Sequence, residues 1–229
     1  MKIYPLDIES SIPRMKVEIP KEAKGICILV SSGQMGRFDK GGAEGEQEFY
    51  SALFSILPSL GYGVIQPDMP LRDDINSPAS TGHILERELW LKKCLASSLL
   101  STFNWNQIVL LGVSLGGRVI LNNLDRFYAG IILVGCVIDS EISNAQFINN
   151  VHLLYGSHDY IAYMDGSGNV SPISPEEYRW TSLNFLKEAG VNERQCTILK
   201  GYGHTLAERE KSEDDPIHIV TSIIKNWIE

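Results

Sequence analysis

A serine flanked by glycines lies where an apolar run of strand length meets a helical pattern. The run occupies residues 108–111, and Gly112-Val113-Ser114-Leu115-Gly116 follows it. A Gly-x-Ser-x-Gly sequence between a strand and a helix predicts a sharp turn with Ser114 exposed at its tip. Side chains at 112 and 116 would crowd the crossing of strand and helix, which explains the glycines. The alternative interpretation of Ser114 is a simple helix N-cap.

Apolar runs of strand length alternate with helical patterns from about residue 25 onward. Strands are predicted at 25–30, 62–66, 107–112, 129–134, 151–155 and 196–199, and helices at about 47–60, 84–100, 114–124, 174–190 and 215–227. This alternation predicts an α/β fold with a mostly parallel central sheet and helices on both faces. Two further runs, 2–8 and 15–19, are predicted as edge strands.

The length and composition favour one globular domain over residues 1–229. The chain is 44% hydrophobic and 21% charged, and the short connection between 129–134 and 151–155 leaves no room for a helical cap domain. A net charge of −8 with no basic stripe argues against nucleic acid as a partner. No apolar run approaches the roughly 20 residues of a membrane span. The N-terminus lacks a signal peptide's apolar region, so we expect a cytoplasmic protein.

The four cysteines carry no metal or disulfide signature. Three of them, Cys27, Cys94 and Cys136, fall within apolar strand or helix patterns, and Cys196 opens the last predicted strand. The sequence contains no Cys-x-x-Cys spacing. We therefore expect reduced core residues and no metal site.

Two loops that follow predicted strands hold the partners that a nucleophilic serine needs. Asp159 ends the segment Gly156-Ser157-His158-Asp159, and His204 ends Gly201-Tyr202-Gly203-His204. Because loops at the carboxyl ends of parallel strands meet at one edge of the sheet, both can converge on Ser114. A histidine base and a carboxylate that orients it are the usual means of activating a serine hydroxyl. Asp139 and Asp165 are alternative candidates for the acid.

With these motifs the chain resembles the α/β-hydrolase superfamily over nearly its whole length. The order Ser114, Asp159, His204 matches the family's, and the missing cap is most similar to dienelactone-hydrolase-like members and small esterases and thioesterases. The resemblance implies that Ser114 attacks an acyl carbon, His204 acts as base and then acid, and Asp159 orients the imidazole. It implies hydrolysis of a small carboxylic ester, thioester or lactone through an acyl-enzyme, without a cofactor.

The resemblance also implies an oxyanion hole formed by two backbone N–H groups. One belongs to Leu115, the residue after the nucleophile. The other comes from the loop after the first buried strand, where position favours Gln34 and a shift of one residue gives Met35. Family members often begin this loop with His-Gly, whereas this chain has Ser32-Gly33.

Other features leave alternatives open. Asp68 is interpreted as structural, and the Gly-rich residues 41–45 as a loop at the rim of the site, since the lysine of a phosphate-binding loop is lacking. Tyr202, Met35 and Tyr160 are position-based candidates for lining the substrate pocket. The alternative function is a small-molecule binding protein of the same fold with little or no catalysis. The sequence does not distinguish water from another acyl acceptor, and it leaves substrate and oligomeric state open.

Overall fold

The computed structural model describes residues 1–4, 13–38, 40–41, 45–72, 79–139, 142–161 and 173–229. Its strands are β1 Lys2–Tyr4, β2 Met15–Glu18, β3 Gly25–Val30, β4 Met35–Arg37, β5 Lys40–Gly41, β6 Tyr62–Pro67, β7 Ile108–Val113, β8 Gly130–Val134, β9 Asn150–Gly156 and β10 Glu193–Leu199. Its helices are α1 Glu46–Ser59, α2 Thr81–Leu95, α3 Leu115–Asn122, α4 Pro175–Glu188 and α5 Pro216–Ile228.

Eight of the described strands form one sheet in the order β1-β2-β6-β3-β7-β8-β9-β10. The pairs β1–β2 and β2–β6 are antiparallel, and all pairs from β6 to β10 are parallel. Every residue of β3, β7 and β8 is buried, as expected for parallel strands covered on both faces. The predicted α/β fold is confirmed.

Two apolar clusters cover the two faces of the sheet. The first contains buried residues of α2, α3 and α4, including Leu91, Ile120 and Leu186. The second contains those of α1 and α5, including Leu53 and Ile224. Helices therefore lie on both sides, as the alternating pattern predicts. Between β8 and β9 the described residues form only the 3-10 turn Ala145–Phe147, with no inserted helical domain among them.

Several boundaries differ from the sequence prediction. Helix α2 starts at Thr81 rather than at 84 because the Ser80 side chain accepts the His83 N–H and caps it. It ends at Leu95 rather than at 100, and Ser98–Leu100 form a separate 3-10 turn. Strand β10 starts at Glu193, three residues before the predicted start, because it pairs with β9 along its whole length. The hairpin β4–β5 lies in a stretch predicted to be irregular. The predicted strand 2–8 is described only to Tyr4.

Candidate active site

Ser114 stands at a strained turn between β7 and α3. Its φ of 51° lies in the left-handed region that non-glycine residues rarely adopt. A Cβ at Gly112 would lie 2.6 Å from the Gly117 nitrogen, and one at Gly116 would lie 2.1 Å from the Val30 carbonyl oxygen. Both positions therefore require glycine. Ser114 occupies the N-cap position of α3, but its side chain makes no capping hydrogen bond.

The Ser114 hydroxyl instead faces the imidazole of His204. The Ser114 Oγ lies 2.9 Å from His204 Nε2, and His204 Nδ1 lies 2.9 Å from Asp159 Oδ1. The Asp159 side chain is fully buried, and 14% of the His204 side chain is exposed. With its proton on Nδ1, a neutral imidazole donates to the carboxylate and leaves the Nε2 lone pair to accept the serine proton. This arrangement can activate a hydroxyl.

Contacts within and between neighbouring loops hold Asp159 and His204 in place. The His158 N–H donates to the Tyr202 carbonyl oxygen at 2.9 Å, which joins the loop after β9 to the loop after β10. The Ile161 N–H donates to Asp159 Oδ1 at 3.1 Å, the oxygen that also faces His204. A Cβ at Gly156 would lie 2.1 Å from the Tyr202 carbonyl oxygen, so the two loops approach each other to backbone distance.

Comparison with solved structures gives several close matches in three dimensions. Esterase PE8 aligns with a TM-score of 0.64 at 18% identity, over 94% of this chain and 98% of that one. SOBER1 of Arabidopsis thaliana aligns with a TM-score of 0.60 at 16% identity, over 90% and 99%. A phospholipase/carboxylesterase of Dyadobacter fermentans aligns with 0.57 at 15%, over 92% and 95%. No protein-family model and no curated protein matches the sequence.

The chain has the α/β-hydrolase fold. At identities of 15% to 18% this likeness establishes the fold alone. Within the α/β-hydrolase fold, Ser114, Asp159 and His204 all follow parallel strands at the carboxyl edge of the sheet.

The alternative acids are placed differently in this α/β-hydrolase fold. Asp139, after β8, lies 3.1 Å from the Arg118 guanidinium, with which it forms an ion pair. Asp165 lies outside the described residues. All five histidines are described, and His204 alone is hydrogen-bonded to Ser114. His152 contacts Thr197 Oγ1, and burial lowers its pKa to about 4, so it is neutral at physiological pH.

The loop after β3 lies against the start of α3. A Cβ at Gly33 would lie 3.3 Å from Leu115 Cδ2, so the loop passes beside Leu115 one residue before Gln34. Gln34 is exposed, and Met35 begins β4. The two backbone segments expected to supply the oxyanion donors are therefore neighbours.

Two buried charged residues near this loop have no counterpart in the sequence prediction. Glu46 and Arg87 are both fully buried. Burial raises the pKa of Glu46 to about 7, against the opposing hydrogen bonds from Ser32 and the charges of Arg87 and His204. Burial lowers the pKa of Arg87 to about 10. In sequence, Glu46 resembles the acidic residues commonly found in the first turn of a helix, and Arg87 resembles part of a solvent-exposed helical face.

The structure describes two of the three side chains predicted by position to line the substrate pocket. Tyr160 follows Asp159 and is 46% exposed. Tyr202 instead lines a cavity of about 450 Å³ between the starts of α1 and α5, with Phe49 and Ile217. Ser114, Asp159 and His204 do not line this cavity, and the assignment of Tyr202 to the substrate pocket stays a prediction. The Met35 side chain and residues 42–44 of the glycine-rich loop lie outside the described residues.

The remaining polar features are structural. Asp68 accepts hydrogen bonds from Arg14 Nε at 2.8 Å and from the Phe38 N–H at 3.0 Å, which ties the end of β6 to two other segments. All four cysteines are free thiols. The described residues contain no cluster of three or more metal-ligating side chains. No helix among them is long and apolar enough to cross a membrane.

Proposed function

We propose that this protein is a serine hydrolase that cleaves a small carboxylic ester, thioester or lactone through an acyl-enzyme. The supporting observation is that the His204 imidazole lies 2.9 Å from both the Ser114 hydroxyl and the Asp159 carboxylate. Esterases and carboxylesterases among the solved structures of the same fold add support. We propose that residues 1–229 form one such domain.

In acylation, the Ser114 Oγ forms a bond to the acyl carbon while its proton passes to His204 Nε2. The electron pair of the carbonyl bond moves onto its oxygen. The buried Asp159 carboxylate stabilises the resulting imidazolium and keeps its Nδ1–H directed at Oδ1. The tetrahedral intermediate then collapses, the bond to the leaving group breaks, and His204 returns the proton to that group.

The oxyanion formed in this step needs donors that are already in place. The Leu115 N–H at the start of α3 and the N–H of Gln34, or of Met35, fill this role. The positive end of α3 adds to the stabilisation. In deacylation, water attacks the acyl carbon while one of its protons passes to His204 Nε2. The bond between the acyl carbon and Ser114 Oγ then breaks, the acid leaves, and His204 returns the proton to Oγ. Apart from substrate and water, the proposed reaction uses only groups of the protein and requires no cofactor.

The test compares wild type with Ser114→Ala on p-nitrophenyl esters of increasing acyl length. Wild type should turn over one or more of them, and Ser114→Ala should lose activity by a factor on the order of 10⁶ because it lacks the nucleophile. A fluorophosphonate should add one covalent adduct to wild type, seen by mass spectrometry, and none to the variant. Equal thermal unfolding of the two proteins is the control for folding. Turnover that survives in Ser114→Ala would refute the proposal, and failure of wild type to label would favour a binding protein.

A further inference from the structure

Four buried polar side chains hold Val30, the last residue of β3, and the two residues that follow it. The Tyr50 hydroxyl donates to the Val30 carbonyl oxygen at 3.0 Å, and Gln66 Nε2 donates to Ser31 Oγ at 3.3 Å. Glu46 and Arg87 hold the residues that follow, as described below. The loop expected to carry the second oxyanion donor therefore starts from a backbone fixed by side chains of α1, β6 and α2.

Glu46 makes the closest of these contacts. The Ser32 N–H donates to Glu46 Oε1 at 2.8 Å, and the Ser32 hydroxyl donates to Oε2 at 2.5 Å. Both carboxylate oxygens are thus used on one residue of the loop. A buried carboxylate is costly unless it is hydrogen-bonded or paired with a charge, so such a group is tied closely to its donors.

Arg87 holds the carbonyl groups of the same segment. Its Nη1 donates to the carbonyl oxygens of Ser31 and Ser32, each at 2.9 Å, and its Nε donates to His83 Nε2 at 2.9 Å. The positive charge of Arg87 favours the ionised form of Glu46. Ser32 therefore has its N–H, its hydroxyl and its carbonyl group all bonded to buried ionisable side chains.

Glu46 also lies beside the loop that carries His204. A Cβ at the preceding Gly45, whose φ is +86°, would lie 2.2 Å from the Ala207 nitrogen. The start of α1 therefore packs directly on the backbone three residues after His204. This packing fixes the backbone of Glu46, and the Glu46 carboxylate reaches the loop after β3.

The loop held in this way is the one that passes Leu115. Gly33 follows Ser32 directly, and a Cβ there would lie 3.3 Å from Leu115 Cδ2. The candidate donor Gln34 comes next. A donor in an oxyanion hole acts only when its N–H lies about 2.7–3.1 Å from the oxyanion, so a small displacement of Ser32 is felt at that N–H.

We propose that Glu46 is a positioning residue for the oxyanion hole, which sets the second donor by its two hydrogen bonds to Ser32. This proposal rests on the proposed function of Ser114. Arg87 assists by holding the two carbonyl groups. Glu46 itself touches neither substrate nor the reacting atoms, and it acts on the transition state through the loop of residues 31–34.

The test uses Glu46→Met, which removes both hydrogen bonds at similar volume, and Glu46→Gln, whose amide can accept from the Ser32 N–H and donate to its hydroxyl. We expect Glu46→Met to lower kcat by about 10²-fold, the effect of losing one oxyanion donor, with KM little changed. Glu46→Gln should restore most of kcat. The affinity for a trifluoromethyl ketone should fall in parallel with kcat, because its hemiketal places an oxyanion in the hole.

Ser32→Ala removes one of the two hydrogen bonds and should lower kcat by about tenfold. Ser97→Ala is the matched control: that serine is also buried, and its hydroxyl accepts the Leu99 N–H in the loop after α2. It should leave kcat unchanged. Should Glu46→Met fail to fold, this pair of serine variants decides the question.

Two results overturn the proposal. One is that Ser32→Ala and Ser97→Ala have the same kcat. The other is that Glu46→Gln lowers kcat as much as a folded Glu46→Met does. The effect would then follow the charge of residue 46 rather than its hydrogen bonds to Ser32. Failure of the proposed function looks different: wild type itself is then inactive, or is no more active than Ser114→Ala.

Discussion

Gly135 directly follows β8 and supports the imidazole of His204. Its φ is +58°, and a Cβ there would lie 2.6 Å from the His204 carbonyl oxygen and 2.9 Å from both Cε1 and Nδ1 of the ring. Ordinary van der Waals contacts of a Cβ lie at 3.4–4 Å. Gly135→Ala therefore places a methyl group against the ring and the backbone of the candidate base.

The contact distances set the size of the effect. Moving the ring from 2.9 Å to an ordinary contact requires a displacement of about 0.5 Å or more. A shift of that size lengthens one of the 2.9 Å hydrogen bonds to Ser114 and Asp159 or bends both out of line. A misplacement of about 1 Å can cost 10²-fold in rate. We expect kcat to fall by about 10- to 100-fold, or about 1.4–3 kcal/mol in the barrier.

The assay is kcat on the best p-nitrophenyl ester at a temperature well below unfolding, together with thermal unfolding of each protein. Gly190→Ala is the matched control, because Gly190 has a φ of +82° with no atom within 4 Å of the added Cβ. Both variants carry the left-handed backbone penalty of about 1–2 kcal/mol. Only Gly135→Ala should lose kcat. Equal kcat in the two folded variants would refute the argument.

Two further predictions concern the buried and paired carboxylates. Asp159→Asn should lower kcat by about 10⁴-fold by favouring the wrong imidazole tautomer, whereas Asp139→Asn, which only breaks the ion pair with Arg118, should leave it unchanged; steady-state kinetics of the two variants checks this. Burial raises the pKa of Glu46 to about 7, above its unfolded value of 4.5, so the folded protein binds more protons between these pH values and loses stability as pH rises through that window. Relative to Glu46→Gln, the free energy of unfolding of wild type should fall by about 3 kcal/mol from pH 4.5 to 7 in urea titrations; a difference independent of pH would contradict this reasoning.

The parallel core could be predicted because its strands carry their signal in the sequence. Strands β3, β7 and β8 are buried at every residue and appear as continuous apolar runs. The start of β10 carries no such signal, since Glu193–Gln195 alternates exposed and half-buried polar side chains. Its pairing with β9 is a tertiary contact. The start of α2 depends on the Ser80 cap ahead of three residues that form no apolar face.

The candidate site was predictable where a residue with suitable chemistry also follows a predicted strand. Ser114, Asp159 and His204 each follow a strand, and the structure brings their side chains to hydrogen-bonding distance. Their catalytic roles stay predictions. Glu46 and Arg87 were missed because a helical pattern does not tell which charged residue faces inward, and their partners are carbonyl and N–H groups of a loop distant in sequence.

Three glycines show how the geometry of the site is set. Gly116, Gly135 and Gly156 each bring one backbone against another: α3 against the end of β3, the residue after β8 against His204, and the end of β9 against the loop of Tyr202. Contacts between backbones therefore contribute to the spacing of the Ser114, Asp159 and His204 side chains. A sequence pattern can name the reacting groups because it records side chains. Outside the Gly112–Gly116 turn, it does not record how closely two backbones approach, as they do at Gly135 and Gly156 beside the loop of His204.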